Sequence, residues 1–198
     1  MGDIEVHSFM TDAAIDPTAI PEAMTHDQLQ WWILFGICVA NKPAKVTEKK
    51  MRKFMDLSAA MTPFGKVKSM IQCGELGRNL RKVRFGQYTR INKAFRHAIQ
   101  LDVNNLTVET LEAVPGIGPK TARMLMLYAK PGFEGVPLDT HILKFLRTLG
   151  HEAPKSTPSA GATYRRLELA FIAEARRRKV SVRELDTQVW TYYSGYTP

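Results

Sequence analysis

The interpretation of this chain begins with the stretch LEAVPGIGPKTA at residues 111–122. It predicts that one helix ends near Ala113, that a short turn follows, and that a second helix begins at Pro119. Proline suits the first helical position because its missing N–H would have no partner there. Gly116 and Gly118 permit positive φ and the close approach of another backbone. The N–H groups of such a turn can bind phosphate, so we expect a hairpin that holds a DNA backbone, the alternative being an ordinary αα-hairpin.

Two ionisable residues near this turn can carry chemistry. Lys120 falls in the first turn of the second helix, where a lysine amine is either a nucleophile, favoured by burial and by the positive helix end, or a phosphate contact. The stretch VPLDTHI at residues 136–142 places Asp139 at the start of a later helix. There Asp139 is a helix cap, a partner of Lys120 in a shared cleft, or both. Leu138 beside it is either a core residue or lies at the mouth of a shared cleft.

The charge of the chain is basic and unevenly distributed. The 198 residues carry 28 Lys and Arg against 19 Asp and Glu, a net charge of +9. Residues 1–41 contain no Lys or Arg but six acids, so all of the positive charge lies in residues 42–198. A basic body of this kind favours a polyanionic partner, most often a nucleic acid, although a basic protein without such a partner has the same composition.

The composition argues against several other classes of protein. The two cysteines, Cys38 and Cys73, are too few for a disulfide framework or for an iron–sulfur cluster. The five histidines show no metal-binding spacing. We therefore expect no catalytic metal and no cofactor, and a cytoplasmic, nucleoid-associated or equivalent reducing location. No apolar run reaches the length of about 20 residues that spans a bilayer, and no secretory signal is evident, so no membrane association is expected.

Helical periodicity extends along most of the chain, and no alternating strand pattern of useful length is present. The run WWILFGICVA at residues 31–40 is apolar nearly all round, which predicts a central helix. The fold class predicted is all-α, with about nine or ten helices. The predicted helices cover residues 27–40, 46–57, 65–71, 87–100, 108–113, 119–129, 139–149, 164–179 and 181–193.

Together, VPGIGPKTA and the later LDTHILKFLRTLG resemble the helix-hairpin-helix DNA glycosylases related to endonuclease III. The resemblance implies that Lys120 is the Schiff-base lysine, that Asp139 is the catalytic aspartate, and that Gly116 and Gly118 contact phosphate. It also implies two helical subdomains that flank a DNA-binding cleft. The implied division is an acidic arm (1–26) belonging to the terminal subdomain, a helical subdomain with the hairpin (27–135), and a C-terminal subdomain (136–198).

The chain departs from many relatives of endonuclease III, because it lacks the four cysteines that follow the aspartate in those proteins. In this it is similar to the cluster-free 8-oxoguanine glycosylases, including the archaeal type. The stretch ELDTQVW at residues 184–190 resembles a late helix of the archaeal enzyme, in which Asp186 and Trp190 would hold the flipped base. Their i,i+4 spacing puts both on one helix face. The alternative is a solvated Asp186 and a core Trp190.

Two further candidates follow the central helix. Asn41 matches the position at which relatives often fill the gap left by the extruded base, although Asn also ends helices. Lys42, next to it, is a candidate DNA-backbone contact.

These expectations combine into a bifunctional DNA glycosylase and AP lyase that excises 8-oxoguanine and then cuts the strand by β-elimination. The partner expected is double-stranded DNA with a damaged base, bound by a monomer. Two alternatives stay open. One is a glycosylase for another damaged or modified base. The other is a non-catalytic DNA-binding module that uses the hairpin alone.

Overall fold

The structure of the chain, a computed structural model, describes residues 23–40 and 42–194. Asn41 and most of the acidic arm therefore lie outside the described residues. Within them the chain forms ten α-helices and no strand, so the all-α prediction is confirmed. The helices are α1 (His26–Val39), α2 (Ala44–Met55), α3 (Pro63–Gln72), α4 (Leu76–Lys82), α5 (Tyr88–Ala98), α6 (Val108–Glu112), α7 (Pro119–Ala129), α8 (Thr140–Thr148), α9 (Ala162–Arg178) and α10 (Val182–Ser194).

The chain divides into two compact units, Met1–Ile117 and Gly118–Pro198. The division that the resemblance implies stays a prediction, with an arm (1–26) and two subdomains (27–135 and 136–198). Among the described residues, no helix is long and apolar enough to span a bilayer.

The first unit is built around α1, as its apolar sequence predicts. Thr25 begins this helix with a capping box: its side chain accepts a hydrogen bond from the Gln28 backbone N–H, and the Gln28 side chain accepts one from the Thr25 N–H. All residues from Gln30 to Cys38 are buried. Helices α2, α3 and α5 all contact α1, which explains why no polar face is needed in the middle of it.

A cluster of aromatic rings forms the second part of this core. Phe54 of α2 meets Phe85 and Phe95 edge-on, with centroid distances of 5.7 Å in both pairs. Edge-on pairs of this kind add to the stabilisation from burial alone. Helix α4 was not predicted from the sequence, because only Leu76, Asn79 and Leu80 are buried in its seven residues and so short a pattern carries little periodicity.

The second unit is assembled around α10, which contacts α7, α8 and α9. Its core includes Leu143, Leu146, Leu167, Phe171 and Leu185, each no more than 1% exposed. The unit also contains a buried non-helical segment, because Val136, Pro137 and Leu138 precede α8 in extended or turn conformation and are all buried.

Replacing Phe54 by Ala should destabilise the first unit by about 3–5 kcal/mol, since a large ring in contact with two others leaves a cavity. Chemical denaturation with circular dichroism measures the loss. The control is Val46→Ala on the same helix, whose side chain is 49% exposed and which should change stability by less than about 0.5 kcal/mol. Equal losses in the two variants would contradict the assigned core.

Candidate functional site

The predicted hairpin turn is present between α6 and α7. The Val114 N–H donates to the Leu111 carbonyl, and the Ile117 N–H donates to the Val114 carbonyl, each at 3.0 Å. Gly116 has φ +89°, in the region that favours glycine, whereas Gly118 is extended at φ −98° and ψ 178°. Of the two glycines, only Gly116 thus uses the positive φ that glycine permits. Both glycines are exposed, while Val114 and Ile117 are buried and hold the turn to the core.

Arg90 fastens the turn from inside the first unit, and nothing in the sequence singled it out. Its Nη2 donates to the Ile37 carbonyl at 2.8 Å, and its Nε donates to the Gln87 side chain at 2.7 Å. Its Nη1 makes a longer contact of 3.5 Å with the Gly116 carbonyl. The guanidinium thus joins the end of α1 to the turn, and its side chain occupies the space beside Gly116.

Helix α7 begins immediately after the turn and presents a positive end. Pro119 occupies its first position, Gly118 supplies no side-chain cap, and the first turn contains no acid. The first N–H groups of a helix have no partner within the helix. Together with the helix dipole, they provide a site at which an anion such as a phosphate can bind.

Lys120 and Asp139 both lie in the second unit, and both are half-buried. Asp139 is the N-cap of α8, and its Oδ1 accepts hydrogen bonds from the His141 and Ile142 N–H groups at 2.9 Å each. The prediction that Asp139 caps this helix is therefore confirmed. No hydrogen bond to its other oxygen, Oδ2, is present among the described residues, so that oxygen stays available for chemistry while Oδ1 holds the carboxylate in place.

The buried segment before Asp139 is held by side chains of α9. The Tyr164 hydroxyl donates to the Val136 carbonyl at 2.8 Å and accepts from the Leu138 N–H at 3.2 Å. The Glu168 carboxylate accepts from the Val136 N–H at 3.1 Å. These bonds satisfy backbone groups that burial removes from water, and they set the point at which α8 begins.

Glu168 also connects this segment to α7. It is only 2% exposed and forms ion pairs with Arg123 at 2.8 Å and with Arg165 at 2.9 Å. Arg123 follows Lys120 by one helical turn, and its guanidinium lies over the Tyr164 ring at 4.7 Å. No sequence pattern indicated Arg123, Tyr164 or Glu168, because their roles depend on contacts between residues 26 to 45 positions apart.

Asp186 is buried, contrary to its alternative as a solvated carboxylate. Its Oδ2 accepts a hydrogen bond of 2.6 Å from the Tyr128 hydroxyl. Burial raises the pKa of the Asp186 carboxyl to about 7, against the opposing effect of the Tyr128 hydrogen bond. The negative charge of Asp139 raises this pKa further and the positive charge of Lys120 lowers it. The structure therefore brings Lys120, Asp139 and Asp186 close enough for their charges to interact.

Trp190 lies one turn after Asp186 on α10 and is half-buried. It is thus not a fully buried core residue. By contrast, Trp31 and Trp32 are 0% and 4% exposed and belong to the core of the first unit.

The family profile of the helix-hairpin-helix motif matches residues 101–128. These residues begin shortly after α5 and run through α6 and the turn into the last turn of α7, so the match covers the hairpin described above. No curated protein and no solved structure matches the chain. The motif indicates DNA binding, in agreement with the exposed glycines and the positive start of α7.

Three other predicted residues have different environments. Leu138 is 0% exposed, so it is a core leucine with no side-chain surface for a base, and its placement at the mouth of a cleft is wrong. The Lys42 ammonium donates to the Phe85 carbonyl at 2.8 Å, and partial burial lowers its pKa; its role as a phosphate contact stays a prediction. Asn41 lies outside the described residues.

The arginines at the end of α9 are paired with acids of the same unit. Arg177 and Arg178 contact Glu174 at 2.7 and 2.6 Å, and Arg176 contacts Glu134 at 2.8 Å. This basic run is thus a feature of the helix end, which cations stabilise. Among the described residues, no group of three or more His, Cys, Asp or Glu side chains is arranged to hold a metal ion.

The two hairpin glycines should respond differently to Ala. Gly116→Ala should lower stability by about 1–2 kcal/mol because of its positive φ, and its Cβ would lie 3.0 Å from Arg90 Nη1. Gly118→Ala meets nothing within 4 Å, so stability should change by less than about 0.5 kcal/mol. The affinity of the Gly118→Ala variant for duplex DNA should nevertheless fall, since the added methyl group occupies the face of the turn that is expected to approach phosphate. Thermal unfolding and fluorescence anisotropy measure the two effects. Unchanged DNA affinity in Gly118→Ala would contradict this contact.

Asp186→Asn should stabilise the protein in a pH-dependent way. The folded-state pKa of about 7 lies above the ordinary value of 3.8, so the stability that the protonated carboxyl contributes is lost as pH rises from about 4 through 7. The variant should therefore exceed the unmodified protein in stability at pH 8 by about 1–4 kcal/mol and show little difference at pH 4. Thermal unfolding at the two pH values tests this. An equal stability difference between the two proteins at pH 4 and pH 8 would show that the carboxyl does not titrate between these values.

Proposed function

We propose that this protein is a bifunctional DNA glycosylase and AP lyase that removes 8-oxoguanine from double-stranded DNA. The observation that carries the proposal is that the buried Asp186 lies within reach of the charges of both an amine, Lys120, and a carboxylate, Asp139. Three further features support it. The helix-hairpin-helix motif indicates DNA binding, the chain is basic, and Trp190 is a half-buried tryptophan one turn from Asp186.

In the proposed mechanism the damaged nucleotide leaves the duplex before any bond is broken. Extrusion of a base costs a few kcal/mol of stacking and pairing, which contacts in the pocket and to the DNA backbone offset. Trp190 stacks on the extruded base. Asp186 accepts hydrogen bonds from the N1–H and the exocyclic amine of the guanine ring, a pair of adjacent donors that oxidised pyrimidines match less well.

The neutral amine of Lys120 then attacks C1′ of the nucleotide. A bond forms between Nζ and C1′ while the bond from C1′ to the base breaks, and the base leaves with the electron pair and takes up a proton. Once the new bond has formed, Asp139 accepts the proton that the attacking nitrogen loses and passes it to the departing base. Asp139 also stabilises the positive charge that develops on the sugar. Its Oδ2 serves this role while Oδ1 stays in the cap of α8.

Opening of the sugar ring gives a Schiff base between Lys120 and C1′. Loss of a proton from C2′ then breaks the C3′–O bond and cuts the strand 3′ to the lesion. Water finally hydrolyses the Schiff base and frees the lysine. Covalent catalysis of this type divides one difficult step into easier ones, and the trapped Schiff base is the intermediate that an experiment can detect.

Borohydride trapping tests the proposal directly. The protein is incubated with duplexes that carry 8-oxoguanine, thymine glycol, uracil or an abasic site, and borohydride reduces any Schiff base to a stable covalent complex. We expect a complex with 8-oxoguanine and with the abasic site. Lys120→Gln should abolish both complexes and should keep DNA affinity within about fivefold, since a single charge contact with the DNA backbone contributes ~1 kcal/mol or less.

The matched control is Lys130→Gln. Lys130 is an exposed lysine at the other end of α7, and its substitution should leave trapping unchanged. Trapping that persists in Lys120→Gln would identify a different nucleophile. A complex with only the abasic site would leave the excised base unassigned. Tight binding with no complex on any duplex would favour a water-using glycosylase or a DNA-binding module without catalytic activity.

A further inference from the structure

The proposed mechanism assigns a role to Asp186 but none to its buried partner, Tyr128. Tyr128 and Asp186 are 5% and 7% exposed, and they come from different helices, α7 and α10. The Tyr128 hydroxyl donates to Asp186 Oδ2 at 2.6 Å. No second donor contacts Asp186 among the described residues, so Oδ1 is open to an incoming hydrogen bond. A buried polar pair between helices is costly unless its hydrogen bond is made.

The protonation of Asp186 decides what it can bind. An ionised carboxylate only accepts hydrogen bonds, whereas a protonated carboxyl carries a donor of its own. The N1–H and exocyclic amine of a guanine ring are both donors, so they match the ionised form and oppose the protonated one. Each carboxylate oxygen has more than one lone pair, so the Tyr128 bond to Oδ2 does not prevent that oxygen from receiving a second donor.

Several groups act on this protonation, and they work in opposite directions. Burial and the charge of Asp139 favour the neutral carboxyl, while Tyr128 and Lys120, both on α7, favour the charged form. Helix α9 also packs on α10 but contributes none of these groups. Tyr128 itself remains a donor, because burial raises its pKa well above the ordinary value. Of the two groups that favour ionisation, only Tyr128 makes a hydrogen bond to Asp186.

We propose that Tyr128 is a positioning residue that determines base specificity: its hydroxyl orients Asp186 and holds it as an ionised acceptor for a base with two adjacent donors. This inference rests on the proposed function, because it presupposes that Asp186 recognises the extruded base. Tyr128 touches neither the sugar nor the reacting bonds in this scheme. Its removal should therefore impair recognition of the base and spare the steps that follow base loss.

The pH dependence of base excision distinguishes this role from a purely structural one. In Tyr128→Phe the buried carboxylate loses its hydrogen bond, so the acidic limb of single-turnover 8-oxoguanine excision should move up by about one pH unit. That shift corresponds to about a tenfold slower excision at pH values below the limb. Excision should recover at alkaline pH. Strand cutting at a preformed abasic site, where there is no base to recognise, should stay within about twofold of the unmodified protein.

A second substitution changes the hydrogen bond in the other direction and keeps the ring. Replacement of Tyr128 by 3-fluorotyrosine makes the phenol a stronger donor, so the acidic limb should move to lower pH. The control is Thr187→Val, because the Thr187 hydroxyl lies 3.4 Å from the Tyr128 hydroxyl and is not bonded to Asp186. This variant should keep the original limb.

A direct titration separates failure of this inference from failure of the proposed function. The Asp186 carboxyl is followed by carbon NMR on aspartate-labelled protein and assigned with Asp186→Asn. Its pKa should rise by about one unit in Tyr128→Phe and fall with 3-fluorotyrosine. If the protein excised no base while the titration behaved as expected, the proposed function would be wrong and the ionisation role would stand. An unshifted titration, or a lower melting temperature with an unshifted limb, would overturn the inference.

Discussion

The second unit depends on the hydrogen bonding of a short non-helical segment that is buried. Backbone N–H and C=O groups removed from water must find partners inside the protein, and Val136 and Leu138 find them in the hydroxyl of Tyr164 and the carboxylate of Glu168. Thr157 completes the set by donating to the Leu138 carbonyl at 2.8 Å. These bonds set where α8 begins and therefore where Asp139 lies. The candidate site is thus positioned by residues that perform no chemistry in it.

Three carboxylates of this unit show how environment assigns different roles to similar groups. Glu168 is buried but paired with two arginines, so its charge is compensated and its role is structural. Asp139 is half-buried and uses one oxygen as a helix cap. Asp186 is buried with one neutral donor, and its pKa rises to about 7. A carboxyl that titrates near neutrality in a cluster of charged groups is the kind of residue that active sites employ.

The hairpin shows the same division between support and contact. Val114 and Ile117 are buried and Arg90 fastens the turn, while Gly116 and Gly118 are exposed. Residues 114–117 of the turn are therefore held by the core of the first unit, and Gly116 adds no side chain to the exposed surface. A rigid exposed backbone followed by the positive end of a helix can bind phosphate without reading sequence, in agreement with the DNA binding that the motif indicates.

Much of this organisation was readable from the sequence, because it depends on neighbours along the chain. The periodicity of residues 31–40, the Pro-Gly turn and the cap at Asp139 are local patterns, and each was predicted at or near its observed position. Helix α4 was missed because seven residues carry too little periodicity. The sequence could not say which hairpin glycine adopts a positive φ, because glycine permits that conformation without requiring it. The burial of Asp186, its bond to Tyr128 and the support from Arg90, Tyr164 and Glu168 were decided only by tertiary structure. They join residues 26 to 58 positions apart, and desolvation depends on which side chains surround a group in space, which no local pattern specifies.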